Sequence, residues 1–248
     1  MAIIGSRNCT EYGYKQAERF AREISKHDIC IVSGMALGID TSAHIGSKTQ
    51  KGKTIAVLGS GFNNIFPKEN EELFHEILKN GGCVVSEYAP DVKKNSKYFP
   101  IRNRIISGLS EGVLVVEAKE KSGSGITARI AKEQNKRVYC IPSNIDSING
   151  IGTGKLIQKG AKLVLNSNDI LEDFGINEIC YDNIEKETYV KINKEYMEVY
   201  KTLSKIPTNT NEICKKTQKD IGEINVILTM LELEGAIKQV GANEFIKI

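Results

Sequence analysis

Short apolar runs alternate with helix-length segments through the first two thirds of this 248-residue chain. The runs of strand length are residues 2–5, 29–33, 54–58, 83–86, 113–117, 137–141 and 162–165. The segments with a helical pattern are residues 12–26, 39–51, 70–80, 101–110, 127–135 and 155–159. Continuous apolar strands that are each followed by a helix are typical of a parallel sheet covered on both faces. The pattern therefore predicts a doubly wound α/β domain with a mainly parallel sheet over residues 1–165.

The segments that follow these strands are rich in glycine and serine. They are residues 5–10, 33–40, 59–70, 86–91, 117–127 and 142–144. In open α/β sheets, ligands bind outside the carboxyl ends of the strands. Small residues there let backbone N–H groups approach an anion, and helix N-termini add partial positive charge. Any one of these loops is explained by a tight turn, but together they predict a phosphate-binding rim.

One stretch on this rim, FPIRNRIISG at residues 99–108, combines an aromatic ring with two arginines. Between Glu87 and Arg104, five basic residues stand against two acidic ones, an excess of +3 that equals the formal net charge of the chain. A basic loop beside an aromatic residue is typical of proteins that hold a polyanion and stack a base. The alternative is a solvated lysine loop before a helix whose arginines form surface ion pairs.

Common nucleotide-binding and catalytic patterns do not occur in the chain. The first turn, GSRNCT, lacks the GxGxxG pattern, and no GxxxxGK[ST] is present. His27, His44 and His75 fall in helical stretches without a serine or cysteine partner at a recognisable spacing, so packing explains them better than catalysis. We therefore predict a binding site with no catalytic residue, no metal and no cofactor.

The last third of the chain changes character. Residues 166–190 are polar and predict a linker with one short helical turn, and residues 191–248 predict a small C-terminal winged-helix domain. Its helices are expected at 194–205, 210–217 and 221–234, with a hairpin around residues 241–243. The third helix carries acidic residues and no Lys or Arg, which disfavours reading of a DNA major groove. Docking of a partner is at least as good an interpretation.

The placement of the cysteines and the hydropathy of the chain predict its cellular compartment. The six cysteines form no CxxC pair, and Cys30, Cys83 and Cys140 lie in apolar runs, which predicts buried, reduced thiols and a cytoplasmic protein. No apolar run approaches the roughly 20 residues of a membrane span, so we expect no membrane association. The chain opens directly on a strand, which suggests that a segment present in relatives is missing upstream.

The motifs taken together resemble the DNA-processing protein A family (DprA, also called Smf). They run in order through residues 2–164: AIIGSR, IVSGMALGID followed by TSAH, TIAVLGSGFNNIFPKEN, VVSEY, FPIRNRIISGLS, VVEA followed by SGSGITA, and LIQKGAKLV. The resemblance implies a Rossmann-like fold, a homodimer and no established catalytic activity. It also implies a protein that binds and protects single-stranded DNA and loads a RecA-type recombinase onto it during natural transformation.

Matching motif by motif, the resemblance implies separate roles for individual residues. Gly5, Ser6 and Arg7 would contact the DNA backbone, Lys68 would add a second phosphate contact, and Phe99 would stack on a base. The same groove would be lined by Asn103 and Arg104 with Arg102 nearby, by Gly34, and by a rim that contains Ser122, Gly123 and Ser124. The chain departs from the family at Phe66, where tyrosine is common, at SEYAPD, and at Ser143, which puts the local shape of the groove in doubt.

Two other functions remain open from the sequence. A Rossmann-like nucleotide phosphoribohydrolase of the lysine-decarboxylase-like type shares glycine-rich strand ends, but it is recognised by a PGGxGT loop, where this chain has KSGSGIT. A regulator that binds duplex DNA through the winged helix is the other alternative, and the acidic third helix argues against it.

Overall fold

The computed structural model of the chain describes residues 1–176, 193, 195–204 and 206–247. The chain divides into two compact units, Met1–Ile179 and Cys180–Ile248. Within the described residues, no helix is both long and apolar enough to cross a bilayer.

The first unit is built on a seven-stranded parallel sheet. Its strands are β1 (Ala2–Ile4), β2 (Ile31–Ser33), β3 (Thr54–Val57), β4 (Cys83–Val85), β5 (Gly112–Val115), β6 (Arg137–Cys140) and β7 (Lys162–Leu163). Their order across the sheet is β4-β3-β2-β1-β5-β6-β7, and every neighbouring pair is parallel. The direction of winding reverses between β1 and β5, so the sheet has the doubly wound, Rossmann-like arrangement that the sequence predicts.

Helices cover both faces of this sheet. They are α1 (Glu11–Ser25), α2 (Ile39–Ser47), α3 (Glu71–Lys79), α4 (Tyr98–Gly108), α5 (Gly123–Glu133) and α6 (Ile151–Gln158), with a 3-10 turn at Lys68–Asn70. In α1, the buried residues Ala17, Phe20, Ala21 and Ile24 follow the spacing of one helical face. They join Ile3 and Leu114 in one core cluster, while a second cluster on the opposite face includes Ile106 of α4 and Ala128 of α5.

Helices α4, α5 and α6 begin earlier than the sequence predicts, α6 at Ile151 rather than residue 155, and the shifts of α4 and α5 matter at the rim. Helix α4 starts at Tyr98 rather than residue 101, so Phe99 and Pro100 belong to its first turn, where a missing N–H costs no helical hydrogen bond. Helix α5 starts at Gly123 rather than residue 127, because the Ser122 Oγ caps it by accepting from the Gly125 N–H at 3.2 Å. The SGSG segment is thus a helix N-terminus and not a free loop.

The α/β unit continues into the segment predicted as a linker. Ile170 and Leu171 of α7 (Asn168–Leu171) are buried in the first core cluster, because these apolar side chains pack on the covered sheet face. Residues 166–176 therefore pack with the α/β unit, and residues 177–190 of the predicted linker lie outside the described residues. Of the cysteines predicted to be buried, Cys140 is, Cys30 is partly exposed, and Cys83 is exposed because β4 is an edge strand.

The second unit is a winged helix, as predicted. It contains α8 (Met197–Thr202), β8 (Thr208–Asn209), α9 (Thr210–Thr217), α10 (Ile221–Leu233) and the hairpin β9 (Ile237–Gly241) and β10 (Glu244–Lys247). Side chains cap α9 and α10: Asn209 Oδ1 accepts from the Asn211 N–H at 3.0 Å, and Asp220 Oδ1 accepts from the Gly222 N–H at 2.7 Å. Strand β8, which pairs with β10 in a sheet of order β8-β10-β9, was not predicted because it has only two residues.

Candidate functional site

A cleft of about 680 Å³ lies at the carboxyl edge of the sheet, where the winding reverses. Such a reversal leaves the loops after two neighbouring strands diverging, which opens a crevice between them. The loops after β1, β2, β3, β4 and β5 all contribute. The residues that line it include Gly5, Ser6, Arg7, Asp40, Phe66, Lys94, Phe99, Arg102, Asn103, Lys119, Lys121, Ser122, Gly123 and Ser124.

Two aromatic rings and two cations form a contiguous group in this cleft. The ring centroids of Phe66 and Phe99 are 5.8 Å apart, and the Arg7 Cζ lies 5.4 Å from the centroid of Phe99. The Lys94 Nζ lies 3.6 Å from the centroid of Phe66. Both rings are partly exposed, whereas both cations are exposed. The cleft therefore presents aromatic surface beside exposed positive charge, the two groups that bind a base and its phosphate.

Phe99 is fitted closely to the loop that follows β3. A Cβ atom at Gly59 would lie 2.8 Å from the Phe99 ring, so only glycine allows the ring to approach this backbone. Tyr98, the neighbour of Phe99, stacks on Tyr88 with centroids 4.2 Å apart and an interplanar angle of 25°. Ser86 Oγ accepts from the Tyr88 N–H at 3.0 Å and donates to the Ser60 carbonyl at 2.7 Å. These contacts hold the first turn of α4 in place.

The N-terminus of α5 forms the opposite wall. The hydroxyls of Ser122 and Ser124 are 3.0 Å apart, and the Asn103 side-chain amide donates to the Gly123 carbonyl at 3.4 Å. Helix α5, of 11 residues, begins here, and Gly123 and Ser124 of its first turn line the cleft. Backbone N–H groups and the helix dipole favour an anion at such a position.

Arg102 lines the floor of the cleft but is 4% exposed, and its guanidinium serves the fold. Its Nη1 donates to the carbonyl of Gly34 at 2.6 Å and also to the carbonyl of Val57. A Cβ at Gly34 would lie 2.5 Å from that Nη1, so the glycine makes room for the guanidinium. Burial lowers the pKa of Arg102 to about 10, which leaves it protonated at neutral pH.

Asp40 supplies a carboxylate beside this buried cation. Its Oδ2 accepts from the N–H of Gly34 at 3.1 Å and of Ala36 at 3.4 Å. Burial raises the pKa of Asp40, and the guanidinium of Arg102 opposes that rise. The pair therefore connects the loop after β2 to helix α4, beneath the cleft.

A second buried carboxylate holds the loop that carries Arg7. Glu117 is 1% exposed, and its Oε2 accepts from the Thr10 N–H at 2.9 Å while its Oε1 accepts from the Thr10 hydroxyl at 2.5 Å. Asn149 Nδ2 donates to the Asn8 carbonyl at 2.9 Å and to Glu117 Oε2 at 3.3 Å. Contacts with Thr10 and Asn8 thus hold the turn just after β1, and the turn presents Arg7 to the cleft.

The structure brings most of the predicted site residues to this cleft. Those that line it are Gly5, Ser6, Arg7, Phe99, Arg102, Asn103, Ser122, Gly123 and Ser124. Gly34, Lys68 and Arg104 do not line it. Gly34 is buried behind Arg102, Lys68 is exposed on the 3-10 turn before α3, and Arg104 turns away to an ion pair with Glu87.

Four aromatic or basic side chains that line the cleft were not among the predicted site residues: Phe66, Lys94, Lys119 and Lys121. Phe66 stands in the NNIFPKEN motif, where the family resemblance marks it only as a departure from the usual tyrosine. Lys94 stands in the basic stretch between Glu87 and Arg104, which predicts polyanion binding but does not distinguish one lysine from another. Lys119 and Lys121 carry no local signal, because their part in the site depends on which loops converge after folding.

The chemistry of the cleft is that of an anion and base receptor. Five basic side chains line it (Arg7, Lys94, Arg102, Lys119 and Lys121) against one carboxylate, Asp40. The oxygens of Asp40 and Glu117 are directed at backbone N–H groups and a hydroxyl and so are ill placed for acid–base work on a ligand. Across the described part of the chain, no group of three or more His, Cys, Asp and Glu side chains is arranged to hold a metal ion.

Comparison with known proteins finds relatives over both units. Residues 1–175 match the family described as DNA recombination-mediator protein A, and residues 192–243 match the DprA winged helix domain. The DNA processing protein DprA of Bacillus subtilis is 43% identical over 181 residues, which are 73% of this chain. The chain spans 61% of the length of that relative.

Solved structures agree with this relationship. The crystal structure of DNA processing protein A from Streptococcus pneumoniae is 42% identical with a TM-score of 0.65, over 69% of this chain and 60% of that one. DNA processing protein A from Helicobacter pylori, whose structure concerns its single-stranded DNA binding mode, is 33% identical with a TM-score of 0.64, over 70% of this chain and 78% of that one. This chain therefore belongs to the DNA recombination-mediator protein A family.

Proposed function

We propose that this chain binds single-stranded DNA in the cleft at the carboxyl edge of its sheet. The observation that carries the proposal is the group formed by Arg7, Phe99, Phe66 and Lys94, in which two rings lie between two cations. A base stacked on Phe99 would bring its flanking phosphates toward Arg7 and the N-terminus of α5. The single-stranded DNA binding described for the Helicobacter pylori relative supports the same ligand.

The aromatic contribution explains a preference for single strands. Stacking of an unpaired base on an aromatic side chain contributes about 1–3 kcal/mol and tolerates any base. In a duplex the bases are already stacked on one another, so this contribution is not available. The phosphate contribution acts on both kinds of DNA, and it depends on salt.

The proposed role beyond binding is that of a recombination mediator. The bound strand would be protected and passed to a RecA-type recombinase during natural transformation or recombination, by a cytoplasmic homodimer without catalytic activity of its own. Support comes from the family relationship and from the absence of a free carboxylate pair among the described residues of the cleft. A nucleotide phosphoribohydrolase, the enzymatic alternative, would release free base from a purine nucleoside monophosphate, and we expect none.

The test is a binding titration with oligo-dT and with a duplex of equal length over a series of salt concentrations. We expect tighter binding of the oligo-dT and a log–log salt slope of about −0.7 for each phosphate contact. Equal affinity for both ligands at every salt concentration would contradict the stacking of a base on Phe99.

A further inference from the structure

A second cleft, of about 750 Å³, runs between helices α5 and α6 on the α/β unit. Six basic side chains line it, and one carboxylate, Glu120, does so too. The basic residues are Lys119, Lys121, Arg129, Lys132, Lys155 and Lys159. None of the predicted roles involves the last four of them.

Much of this charge is available for a ligand. Lys155 is paired with Glu120, and Arg129 lies 3.5 Å from Glu133, but within the described residues no acidic side chain lies within 4 Å of Lys119, Lys121 or Lys159. Lys132 is tethered to the facing helix, because its Nζ donates to the Lys159 carbonyl at 2.6 Å. The two helices thus hold cations on both walls of one groove.

The second cleft continues the first. Lys119, Lys121, Ser122 and Gly123 line both clefts, so the N-terminus of α5 is their common border. From Gly123 to Lys132 the helix rises roughly 14 Å, a length that at most about four nucleotides cover, because a single strand is more extended than the duplex spacing of about 3.4 Å per nucleotide. A strand that leaves the first cleft past Gly123 would therefore enter a groove lined with cations.

The two clefts differ in one chemical respect. The first contains Phe66 and Phe99, whereas no described residue that lines the second is aromatic. The second cleft can thus attract phosphates but cannot stack bases.

From this continuity and this difference, we infer that the cleft between α5 and α6 is a second DNA subsite, which holds the backbone of a strand whose bases are bound in the first cleft. The inference rests on the proposed function, since it concerns the path of the same strand. The shared border of the two clefts favours a nucleic acid over an acidic protein segment as the ligand, because a strand bound in the first cleft would continue into the second.

The experiment compares a short and a long ligand on the full chain. Oligo-dT of about 6 nucleotides fills the first cleft alone, and oligo-dT of about 15 nucleotides reaches the second. In the double variant Lys132→Gln/Lys159→Gln, we expect the salt slope of the long strand to flatten by about 1.4, from two lost phosphate contacts. Over a fourfold rise in salt concentration, the unmodified chain should then lose about 7-fold more affinity for the long strand than the variant does. Binding of the short strand should not change.

The matched control is the double variant Lys51→Gln/Lys79→Gln, which removes the same charge. Both lysines are exposed, line neither cleft and precede β3 and β4, at the amino edge of the sheet. The control should leave the salt slopes of both strands unchanged.

The Lys132→Gln/Lys159→Gln variant can contradict the inference by itself. If it binds the short strand normally and the salt slope of the long strand is unchanged, this inference is overturned while the proposed function stands, and an acidic protein segment becomes the better ligand for the groove. Equal flattening for both strand lengths would also overturn it. Failure of the unmodified chain to bind the short strand would overturn the proposed function and this inference with it.

Discussion

The guanidinium of Arg7 lies over the ring of Phe99, with its Cζ 5.4 Å from the ring centroid. The two residues are almost a hundred positions apart in the chain: Arg7 lies in the loop after β1, and Phe99 lies in the first turn of α4, which follows β4. They meet because both strands end at the same edge of the sheet. A cation and a ring at this distance attract each other. In the proposed complex they act on different parts of one nucleotide, the ring on its base and the cation on its phosphate.

Replacement of Phe99 by Ala should weaken binding of a short oligo-dT by about 5- to 140-fold, since one stacked base contributes about 1–3 kcal/mol. The log–log salt slope should stay the same, because no phosphate contact is lost. Phe62→Ala is the matched control: Phe62 is 39% exposed on the neighbouring loop and does not line the cleft. An equal loss of affinity in both variants, measured by fluorescence anisotropy, would argue against stacking on Phe99.

Removal of a basic side chain from the cleft should make DNA affinity less dependent on salt concentration. Arg7→Ala and Lys94→Ala should each flatten the log–log salt slope by about 0.7, the contribution of one phosphate contact to a single strand. Lys68→Ala tests the role implied by the family resemblance, because Lys68 is exposed and outside the cleft. We expect an unchanged slope for that variant. A flattening of equal size in Lys68→Ala would show that the strand extends past the 3-10 turn before α3.

Replacement of Arg102 should destabilise the folded protein even when no DNA is bound. Removal of one partner from a buried charge network costs about 3–5 kcal/mol, so Arg102→Ala should lower the free energy of unfolding by that amount without any ligand. It would leave the Gly34 and Val57 carbonyls without their donor and Asp40 without its nearby cation. Arg104→Ala, on the same helix, removes only an exposed pair with Glu87 and should cost at most about 1 kcal/mol. Urea unfolding of both variants measures the difference, and similar losses would contradict a structural role for Arg102.

The sequence predicts the sheet and its helices well because the central strands β1, β2 and β5 are buried on both faces and the helices follow a 3.6-residue pattern. It does not distinguish Arg102 from Arg104, since both stand in one short basic motif. The difference arises from a long-range fit: Gly34 and Val57, far from Arg102 in the chain, present their carbonyls to one arginine and leave the other exposed. Burial of a charge depends on such partners, which no local pattern contains.

The same limit applies to the cleft. Residues such as Arg7 and Phe99 are predictable because they stand in motifs that resemble those of a known family. Lys94 joins the site only because the loop after β4 folds against the loop after β3, where Gly61 N–H donates to the Val92 carbonyl at 2.9 Å. The short strand β8 also cannot be predicted from a sequence pattern. Its two residues form a strand because they pair with β10, and their residue types do not indicate this.

His44 should make the α/β unit sensitive to acid. Its side chain is buried, and its Nδ1 lies 2.7 Å from the Thr54 hydroxyl, which donates to the Ile31 carbonyl at 2.8 Å. The hydroxyl proton is thus engaged, so Nδ1 carries the imidazole proton. Burial lowers the pKa of His44 from 6.5 to about 3.

The unfolded chain therefore binds a proton that the folded chain does not, and His44 reduces stability as the pH falls below about 6.5 toward about 3. The slope from this one group is at most about 1.4 kcal/mol per pH unit. His44→Gln keeps a donor for Thr54 and should remove that slope, which urea titrations at pH values from neutral to 4 would measure. His75→Gln, on the more exposed helix α3, serves as the control. A pH dependence that is the same in His44→Gln and the unmodified chain would contradict this assignment.

The winged helix should be dispensable for binding of a short single strand. Helix α10 contains Glu223 and Glu232 and no Lys or Arg, so it repels phosphates. A truncated chain of residues 1–176 should keep the oligo-dT affinity of the full chain to within a factor of about 2, well below the tenfold that about 1.4 kcal/mol would produce. The truncated chain must extend to residue 176 to keep its core. A chain of residues 1–166 would lose Ile170 and Leu171, whose burial contributes about 1.5–3 kcal/mol each, so it should unfold more easily. If the 1–176 chain folds but loses oligo-dT binding, the winged helix contacts the strand and the cleft is only part of the site.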